Sequence, residues 1–330
     1  MHLKEKIQGA RRLAGLYASS RGNDHHVPAD TKSVVVMPLF GEVAYEVLYW
    51  LPFVNQTLRN FSGQVVYWGR DGSENWFQHS ESSRVKKRNM FDVIERDWFL
   101  RWQSDERSKK HFKQRDFLRN KFIYECLLEA STDESDTEQV HLLAPESMFN
   151  LVVPAIADPF GIRWRQIKSN FLHQKITLAQ SDFVELLPPR FNTCRLYSKG
   201  KDLDFSNVLT QGNVLKAISD LHDPSLPLLD FSPPEDFQDH KSWSPPDNFA
   251  SSIWNYLPYE TSSNLLLQSF IIARSESLFT SHGGLAYLSI ALGTPTIAVG
   301  GSKTVIYQLH RNALNRMVRH LGTSYRSAIV

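Results

Sequence analysis

The chain has 330 residues, 42% hydrophobic and 22% charged, which is enough to bury two cores of about 150 residues each. Its formal net charge of +2 is too small to mark a nucleic-acid binder. The two cysteines, Cys126 and Cys194, have no paired spacing; they support neither a disulfide framework nor a cysteine zinc site and point to a reducing, cytoplasmic setting.

The first twenty residues, MHLKEKIQGARRLAGLYASS, scatter charges among apolar positions and so lack the continuous apolar region of a signal peptide. Leu3, Ile7, Ala10, Ala14 and Tyr17 share one helical face, which suits a short amphipathic helix. Such a helix either docks on the protein itself or lies on the inner face of a membrane as a peripheral contact. With the polar linker that follows, it forms a segment 1–28. The valine-rich run 33–39 predicts a strand, Gly41 a turn, and 42–50 a helix with Val43, Val47 and Trp50 on one face. A second strand is expected over 64–68, helices within the charged and aromatic stretch 80–130, an acidic surface loop over 131–138, and a strand over 140–143.

After residue 182 the pattern restarts, so the expected domains are 29–182 and 183–330. The second half predicts a strand over 191–197, a helix over 213–221, a strand over 226–231, a proline-rich loop through Pro246 and a helix over 263–274. Alternating strands and helices predict α/β architecture with parallel sheets, as two Rossmann-like domains facing across a cleft. The only long uncharged run, 278–302, is long enough to suggest a membrane span. His282, Gly283, Gly284, Gly293 and Pro295 instead divide it into short buried elements.

That run, SHGGLAYLSIALGTPTIAVGG over 281–301, reads as turn, helix and buried strand in succession. Gly283 and Gly284 let backbone approach closely, and the helix they open presents unsatisfied N–H groups and a positive dipole end, so an anion fits there. The same glycines equally let helix and strand pack together. His282 adds a hydrogen-bonding side chain at this turn. Gly293 suits the helix end.

The segment FGEVAYEVLYWLP, 40–52, resembles the opening glycine-acid turn of GT-B glycosyltransferases, and 281–301 resembles their donor-side segment, particularly in bacterial heptosyltransferases. A group of bacterial glycosyltransferase-like proteins offers a closer resemblance, carried here by Gly41–Glu42–Tyr45–Glu46, Leu187–Pro188–Pro189 with Arg195 and Tyr197, Asp239–His240, and Gly283–Gly284. The resemblance implies transfer of a sugar from a nucleotide-diphosphate donor to a glycan or related hydroxyl acceptor in surface-polysaccharide synthesis. Glu42 would be the base, and Arg195, Lys199, Ser281, His282, Gly283, Gly284 and Tyr287 would hold the donor. Gly41, Glu46, Asp239, His240, Glu260, Thr261 and Asn264 are further candidate contacts. The stretch 75–135 lies outside the resemblance and is where acceptor specificity is expected.

Each of these residues also has a plainer reading. Glu42 suits a first-turn carboxylate that stabilises a helix N-terminus, and Glu46, one turn on, suits ordinary solvation. Arg195, within TCRLY, fits a diphosphate through its planar donors or a salt bridge at a strand end; Lys199 and Lys201 follow on the loop. Tyr259, Glu260, Thr261 and Asn264 read a nucleotide or cap the helix after them. The Asp202–Leu203–Asp204 triplet has the form of a metal-binding acidic pair, but its surroundings read as a loop of the wrong architecture, so the expected reaction uses no metal and no cofactor beyond the nucleotide sugar. Trp68, Trp76 and Phe77, near a loop, suit stacking on a sugar ring. No serine elbow, P-loop or His-Glu-x-x-His occurs. A non-catalytic nucleotide- or glycan-binding relative and a sugar-nucleotide epimerase stay open as alternatives.

Overall fold

The structure is a computed structural model that describes residues 27–79, 82–108, 117–131, 139–156, 158, 160–179, 185–199, 203–233, 240–258, 264–301, 306 and 308–330. The expected N-terminal helix and most of the acidic loop lie outside the described residues. The chain divides into two compact units, Met1–Gly41 with Tyr49–Leu172, and Glu42–Leu48 with His173–Val330. The stretch Glu42–Leu48 therefore belongs with the second unit although it follows the first strand. The sequence reading keeps it in the first domain and sets the boundary at 182/183.

The first unit holds a four-stranded, wholly parallel sheet of β1 (Ser33–Val36), β2 (Gln64–Gly69), β3 (Val85–Asn89) and β4 (Val140–Leu143), in the order β3-β2-β1-β4. Val35 of β1 lies between Val66 and Leu142, and such β-branched, both-faces-covered strands are what a parallel interior selects. One face carries a core of Val35, Val66, Trp68 and Leu142 under Phe99, Ile123, Tyr124 and Leu127. Those last four come from helices α3 (Arg96–Ser108) and α4 (Phe117–Glu129). After β4 come α5 (Pro145–Ile156) and α6 (Ile162–Ile167).

Two elements here depart from expectation. Strand β3, VKKRN, lies within a stretch read as helical; its lysines belong to an edge strand, where charge blocks further pairing. The helix expected to end at Trp50 runs on as α1 (Val43–Tyr45), a π-helical stretch Glu46–Trp50, and α2 (Leu51–Thr57). Pro52 falls at the start of α2, directly after the π-helical stretch.

The second unit is a seven-stranded, mainly parallel sheet. Its strands are β5 (Asn192–Lys199), β6 (Leu228–Asp230), β7 (His240–Trp243), β8 (Ser251–Ser252), β9 (Leu278–Ser281), β10 (Thr296–Gly300) and β11 (Tyr325–Ile329), in the order β11-β10-β9-β5-β6-β8. Strand β7 lies within the expected proline-rich loop and pairs antiparallel with the second half of β5, so this sheet is not purely parallel. Its helices are α7 (Val208–Ser219), α8 (Asn264–Arg274), α9 (Gly284–Leu292) and α10 (Gln308–Leu321). Helix α7 starts five residues before the expected point because Asn207 caps it, its side chain accepting from the Leu209 N–H. The uncharged run is thus β9, α9 and β10. Among the described residues no helix is long and apolar enough to cross a membrane.

Candidate functional site

From β5 the chain builds outward through β6 and β8, then returns to lay β9, β10 and β11 on β5's other side. The order reverses between β5 and β9, and in open α/β sheets the crevice beyond the carboxyl ends of such strands takes ligands. Tyr197 stands toward the end of β5, and Ser281, His282, Gly283 and Gly284 follow one another at the end of β9.

The two strands are tied together here, since the Tyr197 N–H donates to Ser281 Oγ at 3.0 Å and Thr280 Oγ1 donates to the Arg195 carbonyl at 2.8 Å. Gly283 has extended backbone, φ 163° and ψ −162°, which any residue adopts. Its need for glycine is spatial, because a Cβ there would stand 2.1 Å from Tyr197 Oη. At Gly284 a Cβ would stand 2.7 Å from Val43 Cβ and 3.0 Å from the Ala44 nitrogen. The doubled glycine therefore brings the start of α9 hard against β5 and α1. No side chain caps α9, and Gly293 closes it with left-handed φ of +87°.

Glu42 stands at the N-cap of α1 with extended backbone, exposed, and its side chain makes no capping bond to that helix. Its carboxylate is close enough to act on Tyr197, Tyr287 and His310 electrostatically. Burial and then Glu42 push the Tyr287 phenol up to about 12. Burial raises Tyr197 as well, against the opposing pull of Arg195. His310, 8% exposed, is lowered by burial to about 4, Glu42 opposing. The phenols and the imidazole are thus neutral at pH 7, and the phenols are able to donate hydrogen bonds. The His310 ring meets Tyr45 edge-on at 5.3 Å and Tyr287 at 6.4 Å.

His282 is held from both ring nitrogens by β11, with Nδ1 2.8 Å from Tyr325 Oη and Nε2 2.8 Å from Ser327 Oγ. Arg195 is 9% exposed and donates to Gln268, whose amide donates in turn to Asn264 Oδ1 at 2.5 Å. Its charge also reaches Asp230, whose carboxyl burial raises and hydrogen bonds from Ser244 and Ser232 lower. This sequence candidate is therefore a buried, tethered cation that links to Asn264 through Gln268.

Glu42, Ser281, Gly283, Gly284 and Tyr287 are thus brought together in the second unit. Gly41 belongs to the first unit, where its carbonyl accepts from Arg70. Glu46 is 1% exposed, so burial overturns its solvated reading. Lys199 and His240 face each other in the β5–β7 register, and their side chains lie outside the described residues, as do Asp239, Glu260 and Thr261. The sugar-stacking reading of Trp68, Trp76 and Phe77 is also overturned. All three are fully buried, Phe77 stacked on Tyr67 at 4.7 Å and Trp68 donating to Ser131 Oγ at 2.7 Å. Asp204 spends its carboxylate on Ser206, accepting from N at 3.0 Å and Oγ at 2.6 Å. Among the described residues no His, Cys, Asp or Glu group is arranged to hold a metal. Sequence reasoning missed Tyr45, Tyr197, His310 and Tyr325 as site residues. Tyr45 and Tyr197 lie inside the motifs, whereas nothing in the local sequence marks His310.

The sequence matches no protein-family model and no curated protein. Among solved structures it is similar to E. coli heptosyltransferase WaaC with ADP, at 16% identity over 90% of this chain and 93% of that one, TM-score 0.44. It is also similar to E. coli ADP-heptose lps heptosyltransferase II, at 11% identity over 91% and 90%, TM-score 0.45. A glycosyl transferase family 9 from Veillonella parvula aligns at 9% identity over 94% and 88%, TM-score 0.47. At such scores and identities these likenesses assign no chemistry to the chain.

Proposed function

We propose that the chain is a glycosyltransferase that moves a sugar from a nucleotide-diphosphate donor to a hydroxyl of a glycan acceptor, without a metal, in bacterial surface-polysaccharide synthesis at the cytoplasmic side of the membrane. The observation that carries this reading is an exposed carboxylate, Glu42, set among buried neutral phenols at the carboxyl edge where strand order reverses, beside the uncapped start of α9. Glu42 takes the acceptor's proton as the acceptor oxygen bonds to the anomeric carbon and the bond from that carbon to the diphosphate breaks. The N–H groups of α9's first turn receive the charge that builds on the departing diphosphate. The Tyr287 hydroxyl, held protonated, donates to donor or acceptor oxygens.

The test begins with a calorimetric screen of nucleoside diphosphates, whose binding to the native form raises apparent stability with the logarithm of their affinity. The nucleotide sugar of the responding base is then offered with acceptor glycans. Glu42→Gln is expected to keep donor affinity and lose transfer. Absence of transfer in both proteins defeats the enzyme reading in favour of a binding module, and donor conversion without acceptor defeats it in favour of an epimerase.

A further inference from the structure

From 277 to 330 the sequence contains no aspartate or glutamate, while it carries Lys303, Arg311, Arg316, Arg319 and Arg326. Within this stretch α10 turns Leu309, Ala313, Leu314 and Met317 into the core. The 3.6-residue period then sets Gln308, Arg311, Asn312, Asn315 and Arg319 on the outward side. Arg311, Asn315 and Arg319 are exposed, and the Arg319 guanidinium curls back to donate to the Asn315 carbonyl at 3.1 Å. The flank is basic too. Arg316 and His320 both act electrostatically on His173, and Lys175, two residues on, lies over Gly293. Among the described residues no carboxylate pairs with Arg311 or Arg319.

We infer that this outward side of α10 is a docking face for an anionic lipid bilayer. A solvated helix face ordinarily alternates signs and satisfies its cations with carboxylates three or four residues away. This face instead presents two arginines, Arg311 and Arg319, two turns apart and separated only by neutral amides, so its charge is complementary to a phosphate-bearing plane. No aromatic residue stands on the face to stack on bases, which favours a membrane over single-stranded nucleic acid. The apolar side of α10 is spent on the core, so attachment is electrostatic and reversible by salt, without insertion. The inference stands apart from the proposed reaction, in which none of these arginines is assigned a role.

The test is co-sedimentation of the full chain with vesicles of mixed phosphatidylserine and phosphatidylcholine, and with vesicles of phosphatidylcholine alone. Binding is expected to the first only, and to weaken as salt is raised. Arg311→Gln with Arg319→Gln is expected to lower partitioning about 25-fold, at about fivefold per charge, while Arg311→Lys with Arg319→Lys retains it. Both substitutions lie on exposed positions, and an unchanged thermal midpoint verifies the fold. Absence of binding to the anionic vesicles overturns the inference. So does binding that the glutamine pair leaves unchanged, which would place attachment on another basic segment such as 1–26. Displacement from the vesicles by a short DNA duplex at equal phosphate concentration would also overturn it, assigning the face to nucleic acid.

Discussion

The two units each contain a point where strand order reverses, and the two points are filled in opposite ways. In the first unit it falls between β1 and β4, and aromatic and polar side chains close it. Phe40 stacks on Tyr124 at 5.6 Å and meets Phe99 at 5.4 Å, while the buried Glu146 accepts from Asn120 at 3.1 Å and from the Tyr124 hydroxyl at 3.3 Å. In the second unit the corresponding edge keeps its glycines half-buried and an exposed carboxylate beside them. One topology thus yields an edge closed by buried aromatic and polar side chains and another that stays partly open to solvent.

The contrast is sharpest in turnover. Glu42→Gln is expected to cut transfer by about a thousandfold, the range of a lost general base, whereas Glu146→Gln on the plugged edge should leave the rate within about twofold and lower only the unfolding free energy, by about 1–3 kcal/mol. Equal losses of turnover would erase the distinction between the edges.

Acid stability follows in size and belongs to the second unit. His173 is lowered to about 4 by burial and by the Arg316 charge, and His310 to about 4 by burial, against an ordinary 6.5 for each. The unfolded chain takes up these protons first. The stability they contribute is therefore complete above about pH 6.5 and lost as pH falls toward 4, at about 3 kcal/mol for each imidazole. Thermal midpoints recorded across that window should fall steeply for the native sequence and less so for His173→Gln.

Gly283→Ala comes next, expected to cost about 1–3 kcal/mol because its Cβ meets Tyr197 Oη. Tyr197→Phe in the same chain should recover part of that loss, and strict additivity of the two changes in denaturant unfolding would refute the close approach as its cause. The smallest effect is expected in the first unit. Asp71 pairs with Arg96 at 3.1 Å, yet burial raises its pKa despite the arginines beside it. Its charge thus brings little net stability, and Asp71→Asn should change unfolding by no more than about 1 kcal/mol.

Sequence alone made much of the scaffold legible. The valine runs of β1 and β2 and the turn, helix and strand of 281–301 are set by β-branching and glycine placement, which act locally. Strands β3 and β7 escaped notice because VKKRN and HKSW have no apolar run; each is defined by the neighbour it pairs with. Helix α10 does carry a signal, since Leu309, Ala313, Leu314 and Met317 repeat at helical spacing. The site was legible only in pieces. Glu42 and the glycine pair stand in motifs, but the meeting of Glu42 with Tyr197, Tyr287 and His310 depends on strand order and on the second unit taking up residues 42–48, which no local pattern reports.

The π-helical stretch Glu46–Trp50 has a consequence for how Glu42 is aimed. A wider turn accommodates one residue more than an α-helical turn would, and the buried His173 ring meets the Leu48 carbonyl there at 3.2 Å. Deleting a single residue from 46–50 would let the coil tighten into a regular α-helix and turn the start of that helix, where Glu42 stands, by about 100° about its axis. The aim of the carboxylate is in effect geared to one amino acid of slack, and under the proposed reaction a frame-preserving deletion there is expected to abolish transfer while every side chain of the cluster remains in the sequence.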